Sequence, residues 1–174
     1  MYIKHINNSK KVAFVGVMAA IIEAGKLILA SIPNVEVVTL LCALYGYCFG
    51  LLGLEAVYIF IIIETFVWGI STWVISYLIY WPLVCIVFML LRKTKMDNRL
   101  LYALIACALT FFFGILTSLV DIGLFSGHFD NFFKRFMIYY LRGIWFYVVH
   151  IICNAVLFVT VFKNIKNRIC KFVM

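Results

Sequence analysis

The sequence predicts an all-α integral membrane protein, a bundle of six transmembrane helices with both termini in the cytoplasm. The 174-residue chain is 67% hydrophobic and only 13% charged, and its mean hydropathy of +1.12 lies far above that of soluble domains. Eleven of its fifteen Lys and Arg residues lie in three short polar islands, at the start, the middle and the end. The islands comprise Lys4, Lys10 and Lys11; Arg92, Lys93, Lys95 and Arg99; and Lys163, Lys166, Arg168 and Lys171. Basic clusters stay on the cytoplasmic side during insertion, so the chain must cross the bilayer an even number of times between islands.

The individual spans follow from length, since a helix needs about 20 residues to cross the hydrocarbon core. The run 35–91 carries three acids and no base and is long enough for three helices, with breaks expected at Gly50–Gly53 and around 69–72. The remaining predicted spans are 11–31, 100–125 and 139–162, and Lys134 and Arg135 are expected on a short interfacial helix. Residues 1–174 therefore form one domain, and the connections at 32–35, 69–74 and 126–138 face outward.

Several functional classes are disfavoured by the composition and by missing motifs. The net charge of +8 comes from basic residues that flank apolar spans and do not line one face of the protein, so it does not indicate nucleic-acid binding. The six cysteines show no metal-binding spacing. The chain contains no GxxxxGK[ST], HExxH or GxSxG motif, so we expect no enzymatic activity, no cofactor and no ATP binding by the chain itself.

Polar residues inside the apolar runs are the functional candidates, because an ionised group in mid-membrane costs about 2.5–3.5 kcal/mol on insertion scales. The polar and ionisable residues within the predicted spans are Glu23, Lys26, Glu55, Glu64, Asp121, Arg142, His150 and Asn154. On the last span, Arg142, Phe146, His150 and Asn154 recur every four residues and mark one face over roughly 18 Å.

Two interpretations of the charges near the outer surface stay open. Asp121 and Arg142 lie at the same depth in the membrane if their helices are neighbours. They then either form a structural ion pair or bind a polar solute. Glu64 and Trp68 share a face one turn apart, and Trp73 follows. Such aromatic residues either contact a ligand or belong to the usual belt at the membrane interface.

Small residues mark one face of the first helix. Gly16, Ala20 and Ala24 repeat every four residues, a spacing that allows close approach of another helix. That other helix belongs either to this bundle or to a partner protein.

Three stretches carry a family resemblance: "VGVMAAIIEAGKLILA", "IPNVEVVTLLCALYGYCFG" and "RGIWFYVVHIICNAVLF". With the six-helix frame, they resemble the substrate-binding S component of an energy-coupling factor importer for vitamins or related micronutrients. The resemblance implies a location in a prokaryotic plasma membrane, docking on a scaffold membrane protein with two ATPase subunits, and an outward pocket for a vitamin-like ligand.

The resemblance also assigns roles to residues. It implies that Ala20 and Ala24, with Gly16 in place of a further alanine, contact the scaffold. It implies a pocket lined by Asn34, Glu36, Trp68, Trp73, Asp121, Arg142, Trp145, His150 and Asn154. Together with Glu64, these residues suit a ring-bearing, zwitterionic solute better than a bare metal ion.

A different class of function remains as an alternative. The chain could be a self-contained secondary transporter or channel that uses Glu23, Glu64, Asp121 and His150 as a proton path. An intramembrane enzyme or an assembly scaffold is less favoured.

Overall fold

The computed structural model describes residues 7–32, 35–94, 96–125 and 131–173, and helices are the only regular secondary structure among these residues. The helices are α1 (Asn8–Leu29), α2 (Val38–Phe49), α3 (Leu51–Trp68), α4 (Thr72–Leu91), α5 (Arg99–Phe125), α6 (Phe132–Leu157) and α7 (Lys163–Val173). A 3₁₀ turn, Arg92–Thr94, follows α4, and a π-helical segment, Phe158–Phe162, joins α6 to α7.

Within the described ranges, five helical segments are long and apolar enough to cross a membrane, which makes the chain an all-α multi-pass membrane protein. The segments are Asn8–Leu29, Leu51–Trp68, Thr72–Thr94, Arg99–Leu124 and Phe132–Lys171. The expected breaks in the run 35–91 are confirmed: Gly50 (φ 62°) and Gly69 (φ 77°) end their helices in a conformation that favours glycine.

Helix α2 differs from the expected second span. Its 12 residues extend about 18 Å, well short of the roughly 30 Å hydrocarbon core. Ten of the twelve are buried, because the segment is apolar on every side and is surrounded by α1, α3, α4, α6 and α7. At Gly46 the backbone of Cys85 on α4 lies so close that any side chain would collide with it. The core of the bundle is therefore built around α2.

The end of the chain also corrects an expectation. Lys134 and Arg135 do not lie on a separate interfacial helix, since α6 begins at Phe132 and continues without a break through the π segment into α7. The helical rod Phe132–Lys171 contains 40 residues and is about 60 Å long, twice the hydrocarbon thickness. It must project beyond the apolar layer.

The described members of the three basic islands gather at one end of the bundle, which we call the basic end. Lys11 pairs with Glu55 at 3.0 Å, and Arg92 Nη1 donates to the carbonyl of Cys48 at 3.3 Å. Arg99 Nη2 donates to Asn164 Oδ1 at 2.9 Å. These contacts join α1 to α3, the 3₁₀ turn after α4 to α2, and α5 to α7.

Asp97 connects the middle and last islands. It pairs with Lys166 at 2.7 Å and with Lys163 at 3.2 Å, and Lys166 is only 5% exposed. The hydrogen bond from Lys166, outweighing partial burial, holds the pKa of the Asp97 carboxyl below its ordinary value. Behind this contact, aromatic rings of α2, α4, α5 and the π segment pack edge to face or tilted: Tyr47, Phe88, Tyr102 and Phe162. This cluster fixes the π segment, and with it the start of α7, against the bundle.

Candidate functional site

Two cavities lie towards the opposite end of the bundle, where α1, α3 and α5 end and α2, α4 and α6 begin. We call this the distal end. Cavity A has a volume of about 260 Å³ and lies between α4, α5 and α6. Cavity B has a volume of about 140 Å³ and lies between α1, the connection to α2, α3 and α4.

Cavity A combines an aromatic wall with one acid and one base. It is lined by Thr72, Trp73, Ser76, Phe113, Thr117, Asp121, Tyr139, Arg142, Gly143, Phe146, Tyr147 and His150. Among the described residues neither Asp121 nor Arg142 takes part in an ion pair within 4.0 Å. The structural ion pair is thus not formed, and charges of both signs remain on the cavity wall.

Cavity B is narrower and carries its own charges. It is lined by Lys26, Leu29, Ala30, Ile32, Val35, Glu36, Val38, Phe60, Trp73, Tyr77, Trp81, Phe113 and His150. The Lys26 ammonium lies 5.4 Å from the centroid of the Tyr77 ring and 5.7 Å from that of Trp68. A cation over an aromatic face is stabilised by the ring quadrupole.

The two cavities share a wall. Trp73, Phe113 and His150 line both, and the His150 ring meets Phe113 edge to face with centroids 5.8 Å apart. His150 is almost completely buried. Its position between the cavities makes it the centre of the distal end.

A hydrogen-bond network fixes His150 to the start of α2. His150 Nε2 lies 2.7 Å from Glu36 Oε1, and since a carboxylate only accepts, Nε2 carries the donated hydrogen. The Thr39 hydroxyl donates to the same Glu36 oxygen at 2.6 Å, and the Thr39 backbone N–H donates to Oε2 at 2.9 Å. Glu36 therefore caps the first turn of α2, whose free N–H groups need acceptors, and holds α6 in place.

Asn154 lies on α6 one turn deeper in the bundle than His150, and its environment differs from that of His150. It is fully buried and lines neither cavity. Its Nδ2 donates to Thr110 Oγ1 at 2.8 Å, and the hydroxyl of Tyr80 lies 3.4 Å from the same oxygen. Within the described part of the chain Asn154 Oδ1 has no hydrogen-bond partner. Asn154 thus joins α6 to α5 below the cavities.

A second charged cluster lies between α1 and α3. Lys26 forms an ion pair with Glu64, which is buried. The Glu23 carboxyl lies beside that of Glu64. Considering the described residues, both Glu23 oxygens and Glu64 Oε1 are buried without a hydrogen-bond partner.

The remaining candidate residues lie elsewhere. Trp145 is 77% exposed and lines neither cavity, and Trp68 is 62% exposed beside Lys26. Asn34 lies outside the described residues. Gly16, Ala20 and Ala24 are exposed, whereas the buried face of α1 consists of Val15, Met18, Ala19 and Ile22. The small residues are therefore not used for packing within the described bundle.

Sequence reasoning did not single out several residues of the distal end, among them Phe113, Thr117 and Thr39. A signal for two of them was present, because Phe113, Thr117 and Asp121 repeat every four residues on α5, as Arg142, Phe146 and His150 do on α6. Both stripes line cavity A. Within the described residues there is no group of three or more His, Cys, Asp or Glu that could hold a metal ion.

No protein-family model, no curated protein and no solved structure matches this chain.

Proposed function

We propose that this chain is the solute-binding component of an energy-coupling factor type importer, and that it captures a small, ring-bearing zwitterion from outside the cell. The observation that carries the proposal is cavity A, whose wall presents Asp121 and Arg142 without an ion pair between them. Asp121 is half-buried, where a charge is costly without a partner, whereas Arg142 is exposed; each lacks a partner of opposite charge among the described residues. A ligand that brings an ammonium and a carboxylate or phosphate would supply both.

The aromatic lining supports the ring-bearing part of the proposal. Trp73, Phe113, Tyr147 and Phe146 surround cavity A, and flat side chains favour stacking on a planar ligand. At about 260 Å³ the cavity lies near the lower limit of about 300 Å³ for small-molecule sites, so the solute is small. Cavity B, with Lys26 and Glu36, provides polar groups for an extension past His150.

The orientation supports uptake from outside. The described members of the three basic islands gather at the end opposite the cavities, and basic segments favour the cytoplasm. We therefore place both termini and the 92–99 loop in the cytoplasm, with six crossings of which α2 contributes a short, buried one. The solute enters from the distal end.

The proposed partners are a scaffold membrane protein and two ATPase subunits. The exposed stripe of Gly16, Ala20 and Ala24 supports docking, because small residues on a lipid-facing surface allow two helices to approach closely. ATP hydrolysis would be carried out by the partners and not by this chain.

Mass spectrometry of the small molecule that copurifies with the chain in mild detergent tests the ligand. We expect a ring-bearing zwitterion that protects the chain against thermal unfolding and whose affinity falls in Arg142→Ala. Uptake into vesicles tests the transport mode, and we expect uptake only with the scaffold and ATPase subunits present. Uptake by the isolated chain that follows an imposed proton gradient would overturn the proposal in favour of a secondary transporter.

A further inference from the structure

The Glu23–Lys26–Glu64 cluster between α1 and α3 contains more acceptors than donors. Lys26 donates to one oxygen of Glu64. Three carboxyl oxygens remain, both of Glu23 and Oε1 of Glu64, and in the described structure all three are buried without a hydrogen-bond partner. Buried acceptors of this kind are costly unless a donor or a cation reaches them.

The two carboxyl groups also face each other. The Glu23 carboxyl lies beside the Glu64 carboxyl, and three of their oxygens are buried with no donor in the described structure. Two ionised carboxylates side by side repel each other and neither can donate, whereas one added proton allows a hydrogen bond between them. With Lys26 and Glu64 both charged, a protonated Glu23 leaves the cluster with no net charge.

We propose that Glu23 and Glu64 form a proton-binding site in which the two carboxyl groups share one proton beside the Lys26 ammonium. The proton adds to a carboxylate oxygen of Glu23, giving a carboxylic acid that donates to Glu64 while Glu64 still accepts from Lys26. The site goes beyond the proposed function, because it requires no ligand and no partner subunit.

A metal ion fits this cluster poorly. Hard cations such as Mg²⁺ and Ca²⁺ take six or more oxygen ligands, and the cluster offers three free oxygens together with a competing ammonium group. The described chain also holds no cluster of three His, Cys, Asp or Glu residues there. A proton needs only the two facing oxygens.

The surroundings of the site are apolar or already engaged. Tyr77 on α4 and Trp68 on α3 lie around the Lys26 ammonium. The next ionisable residues, Glu36 and His150, lie across cavity B, where they are hydrogen-bonded to each other and Glu36 also accepts from Thr39. No second cation among these neighbours is placed to neutralise Glu23.

Infrared spectroscopy of the full chain in lipid nanodiscs tests the proposal, since a neutral carboxyl group has a C=O band distinct from that of a carboxylate. At neutral pH we expect the wild type to show a neutral-carboxyl band that disappears in Glu23→Gln. The matched control is Glu55→Gln, which removes the exposed partner of Lys11 at the basic end and should leave the band unchanged. A wild type without the band, or a band retained in Glu23→Gln, would overturn the proposal.

Thermal unfolding of the same variants provides the second measurement. Glu23→Gln mimics the protonated acid and should unfold within about 2 °C of the wild type, whereas Glu64→Gln leaves Lys26 without its partner and should unfold roughly 5 °C or more lower. If Glu23→Gln is as damaging as Glu64→Gln, Glu23 is ionised and the shared proton is excluded. Selective stabilisation of the wild type by Na⁺ over K⁺, lost in Glu23→Gln, would identify a cation site and also overturn the proposal.

Discussion

His150 on α6 and Glu36 before α2 lie 114 residues apart in the sequence, yet their side chains are joined by a hydrogen bond of 2.7 Å. The bond closes the bundle at the distal end. It connects α6, whose His150 lines both cavities, with the first turn of α2, the most buried helix.

This relationship predicts graded effects of substitutions at Glu36. Glu36→Ala removes the acceptor for His150 and for both donors of Thr39, which we expect to cost about 1–3 kcal/mol. Glu36→Gln keeps an acceptor oxygen and should cost less. Thermal unfolding in detergent measures both, and equal losses in the two variants would show that the network does not hold α2.

Arg142 and Asn154, although on one helix face, should differ in their effects. Arg142 is exposed on the wall of cavity A, so Arg142→Ala should leave the melting temperature nearly unchanged and weaken ligand binding roughly tenfold or more. Asn154 is buried against Thr110, so Asn154→Ala should lower the melting temperature with a smaller effect on affinity. Ligand affinity measured beside thermal unfolding separates the two roles, and the reverse pattern would exchange them.

The Asp97 contact predicts a pH-dependent stability. The pKa of Asp97 is held below its ordinary value by Lys166, so the folded state binds this proton less readily than the unfolded state. The stabilisation is therefore complete above the unfolded value of about 3.9 and is lost as the pH falls through the lower, folded value. Asp97→Asn should lower the melting temperature at neutral pH, and its difference from the wild type should shrink in acid. A difference that stays constant with pH would contradict the assignment.

The proposed orientation predicts a labelling pattern. Thr94 lies at the basic end and Asn131 at the distal end, and both are exposed. With single cysteines at these positions in an otherwise cysteine-free chain, a membrane-impermeant reagent added to intact cells should label Asn131→Cys and not Thr94→Cys. Labelling of Thr94→Cys alone would show that the distal end, with its cavities, faces the cytoplasm.

The small-residue stripe predicts an effect on assembly. Ala20→Trp fills the groove on α1 and should abolish copurification with coexpressed scaffold and ATPase subunits, while ligand affinity stays near that of the wild type. Leu104→Trp, at a position on α5 that is also exposed, is the control and should assemble normally. Lost ligand binding with intact assembly in Ala20→Trp would show that the roles are exchanged.

The boundaries that the sequence predicts well are those marked by local chemistry. Gly50 and Gly69 end helices where the small residues indicated breaks. The buried, short α2 was not predictable, because the uniformly apolar run 35–91 carries no signal that separates burial in protein from burial in lipid. The continuity of α6 was also missed, since Lys134 and Arg135 among aromatic residues have the composition of an interfacial helix.

In the candidate site, too, the sequence revealed residues with a local chemical signal and missed those whose role depends on packing. Asp121, Arg142 and His150 were found because charged or titratable groups are costly in lipid, and all three line cavity A. Thr39 and Thr110 gave no such signal: a threonine hydroxyl can bond to a carbonyl of its own helix, as Thr110 does to Ala106 at 2.9 Å, and is tolerated in any membrane helix. The depth of Asn154 could not be predicted from its four-residue spacing, which fixes a face but not what packs against it.

The unbroken rod from Phe132 to Lys171 gives the molecule a mechanical axis. The half of the rod at the distal end places Arg142 and His150 on the wall of cavity A. The half at the basic end brings Lys163 and Lys166 to Asp97. A tilt or rotation imposed on the rod at one membrane surface is delivered at the other by the helix itself, without a relay of side chains. The wider π-helical turn at Phe158–Phe162 lies between the two halves and shifts the register of the hydrogen-bond ladder without ending the helix.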